Sequence, residues 1–165
     1  MARILGVDPG IRHTGWAIVD NGRLGRHGLL YTPGPGRLLV SEVLAFVLPL
    51  LSKVADRETA SMAAIEEVVW RGMRRRVTMP LSHVAGAIAG MLVERGLDVY
   101  LLTPSMKAKE LPKLRGNWSD HEQDAARLAL RVWTVLNAPA DSSRSKRSVD
   151  NEQDTFVARL VPGRV

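Results

Sequence analysis

Residues 4–20 read "ILGVDPGIRHTGWAIVD", and this stretch decides the fold. The apolar run Ile4-Leu5-Gly6-Val7 has the character of a buried strand. It ends on one acid, Asp8, and Pro9-Gly10 breaks it at once. A second β-like run, Gly15-Trp16-Ala17-Ile18-Val19, begins shortly after. Residues 3–8 and 15–20 therefore read as paired strands joined by a tight turn. Asn21-Gly22 is a strong hairpin signal and points to a third strand at about residues 26–31. The opening is a three-strand meander with a carboxylate at the tip of its first strand. Such an acid is either a turn former that accepts backbone hydrogen bonds or a functional group.

The rest of the chain alternates helix and strand. Pro33-Gly34-Pro35-Gly36 is a loop by composition. Leu38, Leu39, Val43, Phe46, Val47 and Leu50 lie three or four apart and form the apolar face of a helix. Residues 63–70, "AAIEEVVW", read as a short buried strand carrying Glu66 and Glu67. A helix over residues 82–95 presents the small residues Ala85, Gly86, Ala89 and Gly90, which suit close contact with the core or with a second subunit. Residues 99–102 form another strand, ended by Thr103-Pro104. Ser119 caps a helix over residues 120–136, with Leu128, Val132 and Val135 at helical spacing. Residues 138–148, rich in Ser and Arg, read as a linker, and residues 151–161 as one further short helix. The expected division is a domain at 1–137 and a linker with a C-terminal tail at 138–165. The element order predicts an α/β fold, a mixed sheet with helices on both faces.

Composition narrows the function. The 165 residues carry 45% hydrophobic side chains, enough for an ordinary core, and a net charge of +6, which favours nucleic acid as a polyanionic partner. There is no Cys, which removes disulfides, thiolate metal sites and a Cys nucleophile. Met-Ala-Arg leads straight into a strand pattern without a signal-peptide core. The apolar run at 43–54 is too short to span a bilayer and contains Pro49. A cytoplasmic protein without a membrane partner is expected.

Ligands of open α/β sheets gather at strand ends where the chain order reverses. If the first and fourth strands are neighbours, Asp8 and Glu66 approach each other, and the last helix brings Asp124 alongside. Carboxylates so crowded repel one another unless cations lie between them. Hard divalent ions such as Mg²⁺ prefer oxygen ligands, and a pair of them suits phosphodiester hydrolysis. Glu67 faces the opposite side of its strand from Glu66, so only one of the two joins the site. Arg71, Arg74, Arg75 and Arg76 would lie in a loop beside such a site and contact the DNA backbone. Trp70 either stacks on an unpaired base or closes the core. Lys107, Lys109, Lys113 and Arg115 form a second basic stretch.

"ILGVDPGIRHTGWAIVD" resembles the opening of the RuvC Holliday-junction resolvases, which have a ribonuclease H-like fold. "AAIEEVVW" is similar to the family's second acidic motif, "HVAGAIAGML" to the helix that follows it, and "VYLLTPSMKAKEL" to its strand, Pro-Ser and lysine segment. The likeness covers roughly residues 3–133. It implies a Mg²⁺-dependent endonuclease, with two ions per site and Mn²⁺ as a substitute, that cuts branched DNA as a homodimer. Its four metal-holding positions fall on Asp8, Glu66, His121 and Asp124, and Lys107 is its candidate for stabilising charge on the scissile phosphate. In "DHEQDAARLAL" His121 and Asp124 share one helix face, and so does Asp120. The chain lacks a helix that the family usually places before this motif. Counted with that helix, the last acid would be Asp154, with Asp150 beside it. Asp124 is preferred because its helix is longer, better capped and more amphipathic. Two rival readings are a sugar-kinase-like ATPase, for which the chain is short and lacks a second phosphate loop, and a DNA-binding module without catalysis.

Overall fold

A computed structural model describes residues 2–68, 75–112, 116–138 and 158–160; for 75–78 and 158–160 it describes the backbone alone. The elements are β1 (Arg3–Asp8), β2 (His13–Asp20), β3 (Arg23–Tyr31), α1 (Val40–Arg57), β4 (Met62–Glu66), α2 (Arg75–Glu94), β5 (Asp98–Leu102), α3 (Asp120–Leu136) and β6 (Ala158–Leu160), with a single 3-10 turn at Pro104–Met106. They build one sheet in the order β3-β2-β1-β4-β5-β6. The meander is antiparallel, and its β2–β3 turn places Asn21 and Gly22 at φ 49° and 79°, as a primed hairpin turn demands. β1, β4 and β5 run parallel. The α/β ribonuclease H-like arrangement expected from the opening motif is therefore present.

Strand alternation sorts the core into two layers. Leu5, Val7, Trp16, Ile18, Ala63 and Ile65 point to the face covered by α1 and α2, where Val43, Val47, Leu51, Val84, Ile88 and Leu92 meet them. Ile4, Val19 and Ala64 point the other way, toward Leu128, Ala129 and Val132 of α3. Among the described residues no helix is long and apolar enough to cross a membrane.

Four expectations need correction. α2 begins at Arg75 rather than residue 82, so Arg75 and Arg76 start a helix instead of lying in a loop. Pro80 lies inside it, and a proline usually marks a helix boundary. β4 ends at Glu66, short of residue 70. The small residues of α2 split: Ala85 and Ala89 are buried, whereas Gly86 and Gly90 are exposed with open space around them. Finally, Ala158–Leu160 is a strand, not part of a helix. It pairs antiparallel with β5, whose outer edge would otherwise leave backbone groups unpaired.

Candidate metal centre

The parallel register of β1 and β4 brings two acids together. Gly6 lies opposite Ala64 and Val7 opposite Ile65. Asp8 and Glu66 are each two residues beyond the first of these pairs, so both emerge on the α3 face at adjacent strand tips. Glu67 has the opposite parity, and its N–H donates to the carbonyl of Leu102 at 2.7 Å.

The third acid comes from α3, held unusually close to the sheet. A Cβ on Gly6 would lie 1.9 Å from the carbonyl oxygen of Ala125, and one on Gly15 would lie 2.3 Å from the backbone carbonyl of His121. Only glycine leaves room for the helix backbone there. Ala17, Ala125 and Ala126 are buried around the same contact. The first turn of α3 is fixed by a reciprocal cap. Ser119 N–H donates to Glu122 Oε2 at 2.8 Å, and Glu122 N–H donates to Ser119 Oγ at 3.3 Å. His27 of β3 adds a 2.7 Å contact from Nδ1 to Glu122 Oε1 and stacks on Trp118 with ring centroids 3.6 Å apart.

With the helix so placed, Asp8, Glu66 and Asp124 each offer a carboxylate oxygen, and these oxygens lie within 4.8 Å of one another. His121 Nδ1 lies 2.5 Å from Asp8 Oδ2, and its ring is stacked against His13 at 5.9 Å. Lys107 Nζ donates to Glu66 Oε2 at 2.8 Å and to Asp124 Oδ2 at 2.7 Å. Arg127 donates to the other oxygen of Asp124 at 2.9 Å.

The charges reflect this crowding. Burial, then a hydrogen bond and repulsion from Glu66, push the Asp8 carboxyl up to about 9. Asp124 moves the opposite way. Burial works against its charge, but the Lys107 and Arg127 hydrogen bonds outweigh it and hold the carboxyl below its ordinary value. Burial likewise opposes the charge on Lys107, and its hydrogen bonds with Asp124 and Glu66 win, raising its pKa. In these three clustered carboxylates Asp8 is buried and Glu66 and Asp124 are part-buried, and protein cations already pair with the last two. Their all-oxygen donors suit a hard divalent cation.

The structure thus brings together Asp8, Glu66, His121, Asp124 and Lys107. Asp120 is exposed, one residue ahead of His121 on α3, and Lys109 is exposed on the segment after Lys107. Trp70, Arg71, Arg74, Lys113, Arg115, Asp150 and Asp154 lie outside the described residues, as do the side chains of Arg75 and Arg76. Sequence reasoning missed Gly6 and Gly15 as the seat of α3, although glycine inside a strand is itself a signal of close backbone approach. It also missed His27 and Arg127, which no local pattern connects to the acids.

The chain matches the family described as "Crossover junction endodeoxyribonuclease RuvC" over residues 4–141. A protein of that description from Bordetella avium is 38% identical over 61% of this chain and 56% of its own length. Another from Bordetella pertussis is 34% identical over 86% of this chain and 76% of its own length. Against several of these relatives, the matched part of the chain spans little more than half of their length. The fold is similar to that of Thermus thermophilus RuvC in complex with a Holliday junction substrate, with a TM-score of 0.65 at 20% identity over 82% of this chain and 96% of that one. Because the family match spans residues 4–141, from the first strand through the helix that carries Asp124, the chain belongs to the RuvC family.

Proposed function

We propose that this chain is a Mg²⁺-dependent, structure-selective DNA endonuclease that resolves four-way junctions by paired symmetric nicks. The observation that carries this reading is the convergence of Asp8, Glu66 and Asp124 from three separate elements, their oxygens within 4.8 Å. The family match and the relatives' names support the reaction class. Asp8, Glu66, Asp124 and His121 hold the ions, Mg²⁺ or its substitute Mn²⁺. The chemistry that two such ions supply when bound is activation of a water nucleophile and stabilisation of the departing oxygen. Lys107 places its ammonium beside the same centre, where it meets the negative charge that grows on the scissile phosphate. Trp70, Arg71, Arg74, Arg75, Arg76, Lys109 and Lys113 contribute contacts to the DNA. Residues 1–137 carry the whole proposed centre, and the working form is a cytoplasmic homodimer, since two-fold symmetry supplies two equivalent sites to a four-way junction.

The test is incubation of the protein with a synthetic four-way junction and with a linear duplex of the same sequence, in Mg²⁺ and in chelator. Paired nicks confined to the junction and dependent on metal are expected. Asp8→Asn should abolish cleavage and keep junction binding. Equal cutting of the duplex, or cutting in chelator, would refute the proposal.

A further inference from the structure

The side chain of Lys107 is only 13% exposed, and its ammonium is shared between Glu66 Oε2 and Asp124 Oδ2. Both acids belong to the cluster proposed to hold metal. An ammonium is a compact point charge with three donors and occupies the lone pairs it binds. A divalent ion such as Mg²⁺ needs those lone pairs at about 2.0–2.1 Å. The two cations therefore compete for one position.

We infer that Lys107 is a built-in counter-ion of the metal centre, holding Glu66 and Asp124 together until an arriving divalent cation displaces it. This inference rests on the metal-centre reading above and adds an exchange step to it. Three features of the chain suit such an exchange. Without a cation the clustered carboxylates would drive one another apart, and the ammonium offsets this repulsion. Lys107 follows the short 3-10 turn at Pro104–Met106 and precedes an exposed, irregular stretch at 109–110, so its backbone is not held in a helix or strand. The acids, in contrast, stay anchored when it leaves. Glu66 ends a central strand, and Asp124 keeps Arg127 on its other oxygen. The displaced ammonium remains next to the centre and is free to bind an incoming phosphate. One lysine thus serves the metal-free state and the substrate complex in succession.

The experiment is brief acetylation of the full-length wild-type protein without DNA, with and without Mg²⁺ at matched ionic strength, read by peptide mass spectrometry. Calorimetry on the same protein records metal binding. Lys107 should be protected without metal and label about tenfold faster, the equivalent of 1.4 kcal/mol, once Mg²⁺ saturates the site. Exposed Lys109 should label equally in both states. Lys107→Met should bind Mg²⁺ more tightly than wild type and melt at a lower temperature in chelator. Mg²⁺ binding that leaves Lys107 fully protected would overturn the exchange while the metal centre stands. No Mg²⁺ binding at all would overturn both.

Discussion

The helix contact on one face of the sheet differs from the contact under the first turns of α3 on the other. Under α1 and α2 the contact is made by large side chains, among them Leu5, Val7, Trp16, Ile18, Leu51, Ile88 and Leu92. Under the first turns of α3 the strands offer Gly6, Gly15 and Ala17, and the helix answers with Ala125 and Ala126. Large side chains fill a layer and hold a helix away from the strands. Glycine and alanine let backbone approach backbone. The second face is also apolar further along α3, where Ile4, Val19, Leu128 and Val132 are buried. It gives up side-chain volume only under the first turns of the helix, which brings short carboxylate side chains within reach of strand tips. Both sides of the sheet carry apolar core, and the chemistry is confined to the glycine- and alanine-lined end of one of them.

This division can be attacked from either face. The largest effect should come from Gly6→Ala, whose new methyl would overlap the carbonyl of Ala125. A cost of about 3 kcal/mol in chemical denaturation is expected, as for severe overpacking, together with loss of metal binding by calorimetry. If Gly6→Ala bound Mg²⁺ normally, the close seat of α3 would be irrelevant to the centre. Leu51→Ala, on the opposite face, should cost about 2–5 kcal/mol by cavity formation. Well below its melting temperature it should keep wild-type Mg²⁺ affinity and junction cleavage. Parallel losses of stability and metal affinity in this variant would erase the contrast between the faces.

A finer probe is pH. In the metal-free protein the Asp8 carboxyl is raised to about 9 by burial and by Glu66, against an unfolded value of 3.8. The folded state then holds a proton that the unfolded state releases. Its stabilising contribution is complete below the unfolded pKa and is lost as pH rises toward the folded one. Wild-type melting temperature in chelator should therefore fall between about pH 5 and 9 more steeply than that of Asp8→Asn. Parallel curves would show that Asp8 ionises freely in the fold. The smallest effect belongs to His27→Ala. Loss of its contact with Glu122 should cost about 1 kcal/mol and weaken Mg²⁺ binding modestly, because the cap precedes His121 and Asp124. A change in stability with no change in affinity would confine His27 to a structural role.

Much of this was legible in one dimension. The meander follows from alternation bounded by Pro9-Gly10 and Asn21-Gly22. The last helix follows from Ser119, Glu122 and the apolar spacing after them, and it runs over Asp120–Leu136 as its pattern requires. Glu66 was conspicuous because a carboxylate within an apolar strand is costly to bury unpaired, whereas Asp8 also fitted a turn-forming role. α2 was harder to delimit, since Pro80 masks a helix that begins before it. β6 was illegible, because three residues become a strand only when an open sheet edge accepts them.

The amino-acid sequence by itself determined the meander, the helices and strands that follow it up to residue 136, and that Asp8 and Glu66 sit on apolar strands, because side-chain periodicity and turn chemistry are local properties. The tertiary structure alone decided that Asp124 joins Asp8 and Glu66, that Arg127 and Lys107 divide its two oxygens, and that His27 braces the helix from a distant strand. These depend on how closely α3 settles onto Gly6 and Gly15. That distance is set by packing between segments more than a hundred residues apart, which no window along the chain contains.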